Sequence, residues 1–98
     1  MIAPQLQAMV QLALADAARR HQLDNSKLKV ALAEAVTWPD GSLGCPQPGM
    51  MYTQALVAGY RIRIVAVGES LEYHASARGE PFYCPRDRAT EPITDSRN

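Results

Sequence analysis

Apolar positions along the chain follow two periods, and each marks a different element. Between Pro4 and Gln22, Leu6, Met9, Val10, Ala13, Leu14 and Ala17 recur at spacings of three and four, which puts them on one face of a helix. Pro4 suits the first turn, where its missing N–H costs nothing, and Asp24-Asn25-Ser26 punctuates the end. From Lys29 to Thr37 helix propensity competes with strand alternation. The span is short and runs into Trp38-Pro39, whose proline favours extended geometry before it, so the prediction is a strand.

A period of two is clearest in YRIRIVAV (60–67) and SLEYHAS (70–76), separated by Gly68-Glu69. A two-residue loop with glycine first fits a type II′ turn and predicts a hairpin. That turn sets Val67 opposite Ser70, Ala66 opposite Leu71, Ile64 opposite Tyr73 and Ile62 opposite Ala75. These apolar residues share a face that should pack under the helix. Arg61, Arg63, Glu72, His74 and Ser76 share the other, which should be wet. A turn at Arg78-Gly79-Glu80 precedes PFYCP (81–85), predicted as a last strand. The remainder, RDRATEPITDSRN (86–98), has almost no apolar content and is expected to be a disordered tail. The predicted fold is α+β. One domain over residues 1–85 places an N-terminal helix on a small antiparallel sheet of three to four strands, with a long Pro/Gly-rich loop.

That loop, TWPDGSLGCPQPGMMYTQ (37–54), holds three prolines and three glycines. Trp38-Pro39-Asp40-Gly41 fits a type I turn, and Gly44-Cys45-Pro46 and Gln47-Pro48-Gly49 fix further angles. Such a loop loses little freedom on adopting a fixed shape. It reads either as a structural cross-over whose Trp38, Leu43, Met50 and Met51 cap the core, or as a preorganised binding loop. In the second case the candidate binding residues are Trp38, Asp40, Leu43, Cys45, Met50, Met51 and Tyr52.

Composition narrows the function classes. Ninety-eight residues, nearly half apolar, suffice for one small core. Ten basic and ten acidic residues balance, and no basic cluster provides the footprint of a nucleic-acid or anionic-membrane binder. GSLG (41–44) lacks the flanking basic residues and following helix of a phosphate- or RNA-clamping loop. No apolar run approaches a membrane span. The N-terminus, with no leading positive charge and with Asp16, Arg19 and Arg20, is a poor signal peptide, so the chain as written reads as cytoplasmic; periplasmic or secreted location is the alternative.

Cys45 and Cys84 are the only cysteines. In an oxidising compartment they can form a disulfide tying the loop to the sheet, worth about 3–4 kcal/mol for a closed loop of about forty residues. In a reducing cytosol they are two small buried hydrophobes. Cys45, Cys84, His74 and His21 lack the close pairs of a structural zinc site, and no metal or cofactor is expected. A Cys45–His74–Asp40 hydrolase would need contacts that spacing does not supply, since His74 reads as a cross-strand neighbour of Arg63. Tyr52, Tyr60, Tyr73 and Tyr83 are scattered and form no base-stacking platform.

The stretch VTWPDGSLGCPQPGMMYTQALVAGYRI (36–62) resembles a family of small bacterial proteins and C-terminal domains. They share a W-x-D-x-S-L-G-C-P-x-P-G-M-x-Y-x-Q segment, then a G-Y-R-I strand, a Y-x-Y/H strand and a terminal cysteine. Trp38, Asp40, Ser42, Leu43, Gly44, Cys45, Pro46, Pro48, Gly49, Met50, Tyr52, Gln54, Gly59, Tyr60, Tyr73, His74 and Cys84 stand at those places. The resemblance spans roughly residues 24–84 and implies a shared architecture and loop without naming a reaction. Export signals on many relatives favour the Cys45–Cys84 bridge. In layout, GYRIRIVAVGESLEYHASARGEPFYC also resembles small serine-protease inhibitors related to potato inhibitor I.

The expectation is a non-catalytic interaction module that presents the 38–53 loop to a protein partner, with protease inhibition as its concrete form. The alternative is a thiol-dependent enzyme or redox protein using Cys45, which requires an accessible thiol of lowered pKa. A purely structural domain is the third reading.

Overall fold

The computed structural model describes residues 4–93. Helix α1 spans Pro4–His21, and a 3₁₀ turn over Asn25–Lys27 leads into four strands: β1 Leu28–Trp38, β2 Val57–Ala66, β3 Glu69–Ser76 and β4 Phe82–Cys84. The strands form one antiparallel sheet in the order β1-β2-β3-β4. This is the α+β layout that the two apolar periods predict. Among the described residues no helix is long and apolar enough to cross a membrane.

The helix lies on one face of the sheet, and its stripe of Leu6, Met9, Val10, Ala13 and Ala17 is buried against Ile62, Ile64, Ala66, Leu71, Tyr73 and Ala75. A polar seam locks this packing. The Tyr73 hydroxyl donates to Asp16 Oδ2 at 2.5 Å, and Arg20 Nε reaches the same oxygen at 3.1 Å. Burial alone would raise the Asp16 carboxyl, but these hydrogen bonds outweigh it and hold the group below its usual range. Arg20 also sits over the Tyr83 ring, 4.2 Å from its centroid.

The hairpin register differs from the expected one by two residues. Ala66 opposes Glu69, Ile64 opposes Leu71, Ile62 opposes Tyr73 and Tyr60 opposes Ala75. The turn is Val67-Gly68, with φ of 47° and 77°, the left-handed pair of a type I′ turn. A shift of two preserves the face of every side chain, so the inward set is unchanged. The observed register puts Arg63 directly opposite Glu72, where Nε meets Oε1 at 2.9 Å. The expected neighbour, His74, instead opposes Arg61.

The other sheet face is not wet. His74 is fully buried and Glu72 nearly so, because residues 38–45 and the chain beyond β4 lie over them. A bulge between Val30 and Leu32 prepares this face. It lets Leu28 and Val30 share the helix side with Ala33 and Ala35, while Leu32, Glu34, Val36 and Trp38 turn to the other side. The stretch after Pro85, where composition suggests a tail, returns across β1. Thr90 N–H donates to Gly44 O at 2.8 Å, and Ile93 N–H donates to Thr37 O at 2.8 Å. Residues 94–98 of that stretch lie outside the described residues.

Candidate functional site

The Pro/Gly-rich loop has a buried root and an exposed tip, and its first fixed point is Trp38. At the end of β1 the indole turns away from the helix, is completely buried, and donates from Nε1 to Ala75 O at 3.1 Å. Its ring lies 4.3 Å from the His74 ring, tilted by 34°. Two glycines make room for it. A Cβ on Gly59 would lie 2.8 Å from Trp38 Nε1, and one on Gly44 would lie 2.3 Å from Trp38 Cζ3. Gly44 also needs its φ of 74°, a region that a side chain disfavours.

The chain then folds back on itself. Asp40 accepts hydrogen bonds from Ser42 N–H at 2.9 Å and Ser42 Oγ at 2.6 Å, which hold its carboxyl below the usual range. Leu43 O accepts from His74 Nδ1 at 2.8 Å, so that ring nitrogen carries a proton. His74 Nε2 faces Glu72 Oε2 at 3.4 Å. Burial would raise the Glu72 carboxyl, yet the hydrogen bonds from His74 and Arg63, with the charge of Arg63, hold it below its ordinary value. The disulfide Cys45–Cys84, with Cα atoms 5.9 Å apart, then fastens the loop to β4.

A small second core therefore fills the face expected to be wet. Its ionic rim joins Arg61 to Glu34 and Glu91, both at 2.7 Å. Arg88 reaches Cys45 Sγ with Nη2 at 3.8 Å, and its Nε is buried without a partner among the described residues. A polar cleft of about 390 Å³ beside this rim is lined by Arg63, Ser70, Glu72, Arg86, Thr90 and Glu91. Arg63, Glu72 and Glu91 are already engaged in ion pairs there.

Beyond Cys45 the loop leaves the core. Gly41 N–H donates to Thr53 O at 2.9 Å, the Tyr52 hydroxyl accepts from Gln47 N–H at 3.0 Å, and Met50 N–H donates to Gln47 O at 3.1 Å. Between these braces Met50 is 57% exposed and Met51 94%, and Leu56, just past the Gly41–Thr53 bond, is 67% exposed. Residues 41–60 carry no charged side chain at all.

The seven sequence candidates thus part into two groups. Trp38, Leu43 and Cys45 meet His74 and Cys84 in the second core, with Asp40 turning the chain beside them. Met50 and Met51 stand apart at the tip, with Tyr52 bracing its underside. The thiol reading is overturned: Cys45 is disulfide-bonded and buried, so no nucleophilic thiol is present. Nor does a Cys45–His74–Asp40 triad assemble, since His74 bonds to Leu43 O and Glu72 and Asp40 bonds to Ser42. Sequence reasoning missed Glu72 and His74 as buried residues. The signal was Cys84: it opposes Glu72, so any bridge to Cys45 must pull the loop over that face.

A family model described as Domain of unknown function (DUF8738) matches residues 10–84. The chain belongs to this family. The match takes in the helix from Val10 onward, the sheet, the loop and both cysteines of the DUF8738 domain, ending on Cys84. No curated protein and no solved structure matches the chain.

Proposed function

We propose that this DUF8738 domain is a non-catalytic interaction module that works in an oxidising compartment and presents its loop tip, residues 46–56, to a protein partner. The observation that carries the reading is the contrast within one loop. Its root is buried and covalently anchored, while its tip holds Met50, Met51 and Leu56 out in water. Burying a methionine or leucine side chain is worth roughly 1.5–3 kcal/mol. A fold with a second core adjacent to this loop leaves that stabilisation unused, and a partner recovers it. Because the braces fix the loop before contact, little conformational entropy is lost on docking. The buried disulfide favours an oxidising setting, where such bonds persist. The uncharged run over residues 41–60 favours a partner surface that is itself neutral or apolar.

Photo-crosslinking from position 51 in the source cells tests this, with the exposed helix position Leu12 as control. A discrete adduct from position 51, absent from position 12 and lost on disulfide reduction, is the expected result. Indistinguishable labelling from both positions contradicts the proposal.

A further inference from the structure

We infer that the protein self-associates through the free edge of β1, pairing residues 28–35 antiparallel with the same segment of a second copy about a twofold axis. The inference is independent of the loop tip and goes beyond the function proposed above.

The edge is open and carries few of the usual safeguards. β1 is an outermost strand of the sheet, and among the described residues the backbone partner along its free edge is Ile93, at Thr37. Lys29, Val30, Ala31 and Ala35 are exposed, Val30 to 38%. Residues 28–36 include no proline, and Lys29 and Glu34 are their only charges. Folded proteins seldom leave so long and apolar an edge unpaired, because its N–H and carbonyl groups are a template for another strand.

The register points to a second copy and not to an arbitrary strand. On β2, Ala58 turns its carbonyl to Ala77, away from β1, and by alternation Tyr60, Ile62, Ile64 and Ala66 turn the same way. Their neighbours on β1 are Thr37, Ala35, Ala33, Val30 and Leu28, so these residues direct their backbone groups to the free edge. The bulge makes the step from Val30 to Ala33 three residues where the rest of the edge steps by two. A regular strand cannot follow that break. The same segment of a second copy, run antiparallel, does follow it: Val30 meets the partner's Ala33 and Leu28 meets the partner's Ala35, with the two bulges face to face. Each Val30–Ala33 pair exchanges both backbone hydrogen bonds. Ala35 N–H adds one to the partner's Leu28 O; the Leu28 N–H is already given to Asn25 O. Registers centred on Ala33 or Ala35 lose the match across the bulge or need Thr37, whose carbonyl serves Ile93.

The side chains fit the same register. Leu28, Val30, Ala33 and Ala35 all stand on the helix side, so apolar pairs cross the seam there. On the opposite face Lys29 meets the partner's Glu34, and Glu34 the partner's Lys29. Both are non-hydrogen-bonded positions, where side chains approach most closely. Lys29 has no ion pair among the described residues. Glu34 uses Oε2 on Arg61, which leaves Oε1 for the lysine. Two four-stranded sheets thereby become one continuous sheet.

The test is sedimentation equilibrium of the disulfide-intact full chain between about 1 and 500 µM, since a single strand pair buries less than a standard interface and predicts a micromolar dimer. The expected result is a monomer–dimer equilibrium in that range, with the amides of Val30, Ala33 and Ala35 exchanging more slowly as concentration rises. Lys29→Glu turns both attractions into repulsions at an exposed, unpaired position, and should weaken the dimer by roughly ten- to 100-fold with the monomer's Tm unchanged. Glu34→Lys should weaken it likewise. An equimolar mixture of the two variants should restore association, because each supplies the charge the other lacks. Glu34→Lys also gives up the Arg61 pair, so Lys29→Glu and the amide exchange decide the question without it. A chain that stays monomeric throughout the range, its edge covered by further residues of its own or unused, overturns the inference. So does a dimer indifferent to Lys29→Glu.

Discussion

Gly59→Ala probes the seat of Trp38 with the smallest side chain available. A Cβ at this position would lie 2.0 Å from Ala75 O and 2.8 and 2.9 Å from Trp38 Nε1 and Cδ1. The first contact is with the backbone of the neighbouring strand, which cannot rotate away. Relief requires β2 and β3 to part locally or the indole to leave its seat. Overpacking of this kind costs about 1–3 kcal/mol, and the buried Nε1–Ala75 hydrogen bond, once broken, adds about 1–3 kcal/mol. The expected loss is therefore about 2–6 kcal/mol, which for a domain of this size lowers Tm by roughly 10–50 °C. Gly41→Ala, in the loop, is the control, since its nearest contact would be 3.4 Å and its stability should change by less than about 1 kcal/mol. Urea unfolding followed by the fluorescence of Trp38, the only tryptophan, reads both variants at the site itself. Equal midpoints for Gly59→Ala and Gly41→Ala would refute the close approach of indole to strand on which the second core is built.

The disulfide and the acidic rim give further tests. Both cysteines should resist alkylation in the native protein until it is reduced and unfolded, and the Cys45→Ala/Cys84→Ala pair should lose about 4 kcal/mol for a closed loop of 39 residues; rapid native labelling of Cys45, read by mass spectrometry, would contradict the burial. Glu72 has a folded pKa below its ordinary 4.5, so its stabilising contribution is complete above that pH and is lost as pH falls through the folded value. Glu72→Gln should accordingly flatten the acid limb of stability measured below about pH 4.5, and an unchanged acid limb would show that the Arg63–Glu72–His74 cluster is not formed.

The helix and the inward sheet face were legible because each obeys a simple period that burial enforces. The turn was less so. Gly68-Glu69 has a glycine in the place a type II′ turn wants, whereas the observed Val67-Gly68 turn puts a β-branched residue at φ 47°. The register wins through interactions a turn rule does not see, including the Arg63–Glu72 pair across the strands. The second core was the larger omission. Arg61, Arg63, Glu72 and His74 alternate as a solvated face should, and nothing local distinguishes a polar face in water from one whose charges are paired beneath a loop. The information was distributed instead. It lay in a tryptophan at the end of β1, a glycine inside β2, a second glycine beside Cys45, and a cysteine in β4 on the same face as Glu72. The tip stayed ambiguous for a related reason: Met50 and Met51 are as apolar as core residues, and only the structure shows that the second core is filled without them.

Amide hydrogen exchange on the oxidised protein tests the division of the loop most directly. The account predicts that the amides of Cys45 and Thr90, bonded to Ser42 O and Gly44 O, exchange only slowly, with that of Met51 exchanging near the rate of an unstructured peptide. Fast exchange at all three would show a loop that is mobile from root to tip, and would contradict the anchored scaffold from which the proposed function follows.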